Sequence, residues 1–120
     1  MARYVDGYVL PVPKKNVEAY RRMAQKAVKV WREHGAIEYF ECVGEDLKAK
    51  WGTSFRKMMK SKPAETVVFS WIVFKSRADR DRVNAKVMKD PRIAAMMDDK
   101  SMPFEVKRMV YGGFEVIVEG

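Results

Sequence analysis

The chain has 120 residues, 48% hydrophobic and 12% aromatic, with 24 Lys and Arg against 16 Asp and Glu and a formal net charge of +8. That is one domain with a real core, and the composition excludes a disordered tail. A lone cysteine, Cys42, excludes an intrachain disulfide, and no apolar run reaches the ~20 residues of a membrane span. Met1–Val9 carries Arg3 and Asp6 and lacks the apolar centre of a signal peptide. The expectation is a cytoplasmic protein without a membrane anchor, its cysteine serving as a small buried apolar residue.

Arg3–Val12 reads as the first strand, with Val5, Gly7 and Val9 on one face and Tyr4, Asp6, Tyr8 and Leu10 on the other. Pro11 and Pro13 are expected to end it and lead into a helix. From Lys15 to His34 the apolar positions Val17, Tyr20, Ala24, Ala27 and Trp31 recur every three or four residues, and Gly35 supplies the closing left-handed turn. Ala36–Val43 is a second strand with Ile37, Tyr39, Glu41 and Val43 on one face. No period holds from Gly44 to Pro63, where short helical pieces are expected near Lys48 and Arg56.

Glu65–Lys75 organises the rest. It is β-branched and aromatic almost throughout, contains no Gly or Pro, and is bounded by charges. Its faces, Val67, Phe69, Trp71 and Val73 against Val68, Ser70, Ile72 and Phe74, are both apolar. A strand wetted on one side alternates, so this one calls for cover on both sides. Ser76-Arg77-Ala78-Asp79 is a capping pattern opening a helix to about Lys89, and Asp90-Pro91 opens a shorter one carrying Ile93, Met96 and Met97. Lys107–Glu119 is the last strand, with Gly112-Gly113 expected as a bulge or bend.

The order strand, helix, strand, strand, helix, strand gives an α+β, ferredoxin-like fold: a four-stranded antiparallel sheet with helices on one face. Those helices leave the second face open. A homodimer packed sheet to sheet, closing an α/β barrel, covers it.

Four blocks, YVDGYVLPVPKKNVEAYRRMA (4–24), VWREHGAIEYFECVGED (30–46), ETVVFSWIVFKSRADRDRVNAKVMKDPR (65–92) and MPFEVKRMVYGGFEVIVE (102–119), resemble the YbaA-like family of bacterial domains of unknown function. The likeness covers nearly the whole chain and implies a dimeric α/β-barrel fold, with no catalytic residues to carry over. The chain departs from the pattern in its more basic Arg56–Lys62 and in Glu105-Val106, where a Gly-containing turn is expected.

Three sets of residues could carry chemistry. His34, the only histidine, is a candidate acid or base, set against a plain role at the negative end of a helix dipole. One His and one Cys far apart make no metal site, and no motif calls for a cofactor. Asp6, Tyr8, Tyr39, Glu41, Trp71 and Tyr111 are polar or amphipathic positions on apolar strands. They are the candidate pocket, expected in the barrel between sheet and loop with strand parity leaving each residue's face open, and able to hold a proton or orient a small phenolic or keto molecule for binding or conversion, against the alternative of hydrogen bonds across a dimer interface. Lys48, Lys50, Arg56, Lys57, Lys60 and Lys62, interleaved with Trp51 and Phe55, are the candidate surface for RNA or another polyanion, against a solvated loop. The sheet lacks the Lys/Arg-Gly start of an RNA-recognition strand, since Glu65-Thr66 stands there.

Overall fold

The computed structural model describes residues 2–97 and 102–120. Its elements are β1 (Tyr4–Pro13), α1 (Val17–His34), β2 (Glu38–Val43), α2 (Phe55–Met59), β3 (Glu65–Phe74), α3 (Arg77–Met88), α4 (Pro91–Met97) and β4 (Val110–Glu115), with 3-10 turns at Lys14–Asn16 and Val106–Arg108. The strands form one sheet in the order β2-β3-β1-β4, every neighbour antiparallel. This is the ferredoxin-like arrangement.

Helix ends follow local chemistry. The Ser76 hydroxyl accepts from the Asp79 amide at 3.1 Å and Ser54 caps α2 through the Lys57 amide at 3.1 Å, each satisfying an amide that a first turn leaves unpaired. Gly35 closes α1 at φ 125°, a conformation costly for any residue with a Cβ. No helix forms around Lys48; of the irregular stretch only Phe55–Met59 winds up.

Pro11 and Pro13 both belong to β1, which runs one residue further than expected at this end. β4 pairs with β1 only over Tyr4–Val9, so beyond Val9 one side of β1 is an edge, where a missing amide costs little. Gly112 and Gly113 cause no bulge either: they pair in register with Gly7 and Asp6. Gly113 leaves room for Tyr4, since a Cβ there would lie 2.5 Å from the Tyr4 hydroxyl oxygen and the ring would have to shift.

The core sits between the sheet and α1, α3 and α4. Leu10, Val12, Ile72, Phe74, Val30, Val83, Val87 and Ile93 are buried in it, in two clusters bridged by Tyr8. Burying a side chain such as Phe74 contributes roughly 1.5–3 kcal/mol. On the opposite face α2 packs against β1 and β3, its Phe55 ring 6.1 Å from Phe69. Helices therefore occupy both faces, but the second holds only this one-turn piece. Phe40, Phe69, Val110 and Phe114 stay 44–61% exposed there. Cys42 lies on the same face and is exposed, contrary to expectation, because β2 is an edge strand with nothing over that side.

Candidate functional site

Strand register assembles the site. Tyr111 pairs with Tyr8, Tyr8 with Ser70, and Ser70 with Glu41, so one polar or amphipathic side chain from each of four strands forms a row across the helix-facing side of the sheet. Leu10 and Val68 flank the row on one side and Ile72 on the other. Above it, below α1, α3 and α4, is a cavity of about 470 Å³, within the range of small-molecule sites. Its apolar wall is Trp31, Phe104 and the thioethers of Met23, Met88, Met96 and Met102. Methionine supplies an apolar lining that reshapes easily and contacts aromatic rings favourably.

Glu41 is the charged group in this wall's floor. The Tyr20 hydroxyl donates to one of its carboxylate oxygens at 2.7 Å and the Tyr39 hydroxyl to the other at 2.8 Å. Burial pushes its pKa above the usual carboxylate range, against the opposing pull of hydrogen bonds from Tyr20, Tyr39 and Ser70. Burial, followed by the neighbouring Glu41, drives the Tyr20 and Tyr39 hydroxyls far above their ordinary range, so both remain protonated donors. Tyr8 is raised by burial and then by Asp6, and its ring stacks on Tyr111 at 5.9 Å.

Asp6 is buried one residue row away and anchors the α3 side of the cavity. Asn84 donates to its carboxylate at 3.0 Å and accepts from the Trp31 indole at 3.0 Å. Arg80 lies 3.7 Å from the same carboxylate, donates to Tyr4 at 3.3 Å, and places its guanidinium 4.8 Å above the Tyr4 ring. This chain fixes the rotamers of Trp31, Asn84 and Arg80, which all face the cavity.

Of the pocket residues proposed from sequence, Tyr8, Tyr39, Glu41 and Tyr111 therefore line one cavity, with Asp6 behind it. Their place on the helix-facing side is a correction: the pocket was expected in the barrel, between sheet and loop, and of the six residues the open face keeps only Trp71. Strand parity puts it opposite Gly7 and Phe40, on the far face of the sheet, stacked obliquely on Phe40 at 5.1 Å and Phe69 at 5.5 Å. Tyr20, Ser70, Arg80 and Asn84 were not singled out from sequence. Tyr20 stands in the apolar stripe of α1 and reads as plain core; only a tertiary contact reveals that its hydroxyl meets Glu41.

His34 lies outside the cavity lining. Its Nε2 is 2.9 Å from Asp90, and Arg92 bonds both Asp90 and Glu33, so the group staples the end of α1 to the start of α4. Arg92, and after it His34, hold the Asp90 carboxyl well below the usual range. In the basic segment Arg56 donates to the Glu65 and Lys62 carbonyls at 2.7 and 2.9 Å, closing its own loop. Lys48, Lys50, Lys57, Lys60 and Lys62 are exposed. Buried Glu65 accepts from Arg108 at 2.7 and 3.1 Å and from the Lys62 amide at 2.7 Å, tying this loop to the chain entering β4. Among the described residues no group of three His, Cys, Asp or Glu could hold a metal ion, and no helix is long and apolar enough to cross a membrane.

A ferredoxin-like sheet with a polar row beneath a methionine-walled cavity defines the class of this protein. The chain belongs to the family described as protein of unknown function (DUF1428), whose profile matches residues 3–106. It is 45% identical over 117 residues to the uncharacterized protein YbaA of Escherichia coli K12, covering 98% of each chain, and equally so to YbaA of Shigella flexneri. Among solved structures it is similar in fold to a dimeric ferredoxin-like protein from an uncultured marine organism, at 12% identity and a TM-score of 0.64, covering 100% of both chains. A putative antibiotic biosynthesis monooxygenase from Bacillus cereus matches at 11% identity and a TM-score of 0.53, covering 100% of this chain and 98% of that one.

Proposed function

We propose that the cavity over the Tyr111–Tyr8–Ser70–Glu41 row binds a small, mostly apolar organic molecule carrying a hydroxyl or keto group. The observation that carries the reading is Glu41, a carboxylate held between two tyrosine hydroxyls at the floor of a mostly apolar, methionine-walled space. Tyr20, Tyr39 and Ser70 occupy three of the carboxylate's four lone pairs, which leaves one for a ligand hydroxyl, while Asn84 and Arg80 across the cavity can donate to a carbonyl. A thermal-shift panel of simple phenols and aryl ketones, with native mass spectrometry of the freshly purified protein, tests it. A binder or co-purified molecule is expected, with affinity at least tenfold weaker in Glu41→Gln. Finding neither overturns the reading.

The same reading makes the working unit a homodimer, with the open face of one sheet on that of the other and an α/β barrel between them. Its support is the row of half-exposed Phe40, Phe69, Val110 and Phe114 beside Trp71. An interface of roughly 1,200–2,000 Å² is expected. Light scattering at micromolar concentration should give twice the chain mass of 13.9 kDa; a monomer overturns it.

A second reading, a polyanion such as RNA on the 48–62 segment, rests on Trp51, 90% exposed among lysines. It requires affinity falling by roughly one log unit per log of salt for each phosphate contacted, with a flatter slope after Lys57, Lys60 and Lys62 are changed to Gln. Negligible RNA affinity at ~150 mM salt would leave the segment a solvated lid.

A further inference from the structure

The two edges of the sheet are unlike. At one edge β4 is followed by the tail Val116-Ile117-Val118-Glu119-Gly120. Its pairing with β1 ends at Glu115, after which one bond, from the Val116 amide to the Arg3 carbonyl at 3.0 Å, continues the ladder. Ile117 and Val118 then stand 88% and 83% exposed. A β-branched run with both faces in water is suited to a strand that is completed elsewhere.

At the other edge β2 pairs with β3 alone, which leaves its outer backbone groups without a partner strand among the described residues. Between that edge and α1 runs a groove of about 440 Å³. Val17, Tyr20, Ala24 and Val28 of α1 face Val43 and Val68 across it, and Arg21 stands at the rim. An exposed edge beside an apolar groove is the arrangement by which proteins accept an added strand: backbone bonds hold it, and alternate side chains enter the groove.

We propose that the C-terminal tail of a second copy of this chain is the occupant, pairing with β2 and seating Ile117 in the groove. This rests on the homodimer reading above. The tail cannot serve its own groove, because the strand order puts three inter-strand steps of about 4.8 Å each between β4 and β2. Side-chain alternation fits: with Ile117 and Glu119 toward the helices, Val116 and Val118 join the apolar open face. Charge fits too. Glu119 is held only by an exposed pair with Arg3 at 3.6 Å, and Arg21 only by an exposed pair with Glu18 at 3.3 Å. Such pairs contribute little and exchange readily. The consequence reaches the candidate site, because Tyr20 and Glu41 line both this groove and the cavity. The partner's tail thus closes the far side of the wall that carries Glu41.

The chain's one cysteine makes the test direct. Cys42 lies on β2 on the open-face side, the side Val116 and Val118 would share. Full-length Val116→Cys and Val118→Cys are oxidised with diamide, and the linked peptides are mapped by mass spectrometry, with Cys42→Ser versions as controls. A disulfide needs Cα atoms within about 7 Å, which own-chain geometry forbids here. A covalent dimer linked from Cys42 to position 116 or 118 is expected, absent once Cys42 is Ser. A non-covalent dimer with no such link in either variant overturns the tail assignment and spares the homodimer. A monomer by light scattering overturns both. Ile117→Asp, at a fully wetted position that the fold does not use, should weaken the dimer at least tenfold; an unchanged dissociation constant counts against the seat in the groove.

Discussion

The two faces of one sheet have nearly the same apolar content and opposite fates. On the helix side, Leu10, Val68, Ile72 and Phe74 are fully enclosed, and the carboxylates among them, Glu41 and Asp6, have partners supplied by their own chain. On the other side Phe40, Phe69 and Phe114 are left half in water by the same chain. The difference teaches that hydrophobicity says a surface is to be covered and not by what. Helices long enough to cover one face are in the sequence; α2 reaches only the end of the second.

Five perturbations break or sharpen this contrast. Phe74→Ala empties the centre of the enclosed face and should cost about 3–5 kcal/mol of protomer stability, read by denaturant unfolding. Trp71→Asp, on the open face, should leave the protomer folded while weakening the dimer by roughly 30–1,000-fold, about 2–4 kcal/mol, in sedimentation equilibrium. If instead Trp71→Asp unfolds the chain at high dilution, the two faces are not separable.

Smaller effects come from the carboxylates. Arg108, and after it the Lys62 amide, hold the Glu65 pKa below its ordinary 4.5, so its contribution is complete above that value and lost as pH falls through the folded pKa. Glu65→Gln should cost about 2 kcal/mol at pH 7 and flatten the acid limb of the stability curve. Glu41 has the opposite sign. Its pKa is raised, so the wild type loses stability as pH rises from about 4.5 to the folded value, where the buried carboxyl must ionise. Glu41→Gln should remove that decline, gaining on the wild type as pH rises across that window, by less than Glu65→Gln loses. His34→Gln, remote from the cavity, should move Tm by no more than about 3 °C and leave ligand binding unchanged.

Much of this was legible in the chain. Strand periodicity placed Tyr39 with Glu41 on one face and Asp6 with Tyr8, and the capping Ser76 and closing Gly35 marked helix ends, because these signals are local and set by backbone geometry. Parity even separated Val67, Phe69 and Trp71 from Ser70 and Ile72 within β3. It could not say which face of β3 matched which face of β1 and β2, so Trp71 was grouped with residues it never meets.

What the sequence by itself determined, then, is the order of elements and the need for a second cover on the sheet, both consequences of period and composition. Only the tertiary structure decided the rest: that Tyr8, Ser70, Glu41 and Tyr111 share a row, that Tyr20 reaches Glu41 across 21 residues, and that Gly113 makes room for Tyr4 where a bulge was expected. The physical reason is range. Dihedral preference and hydrophobic period act within a few residues, whereas register across a sheet, and the hydroxyl that finds a buried carboxylate, are selected by packing the whole core at once.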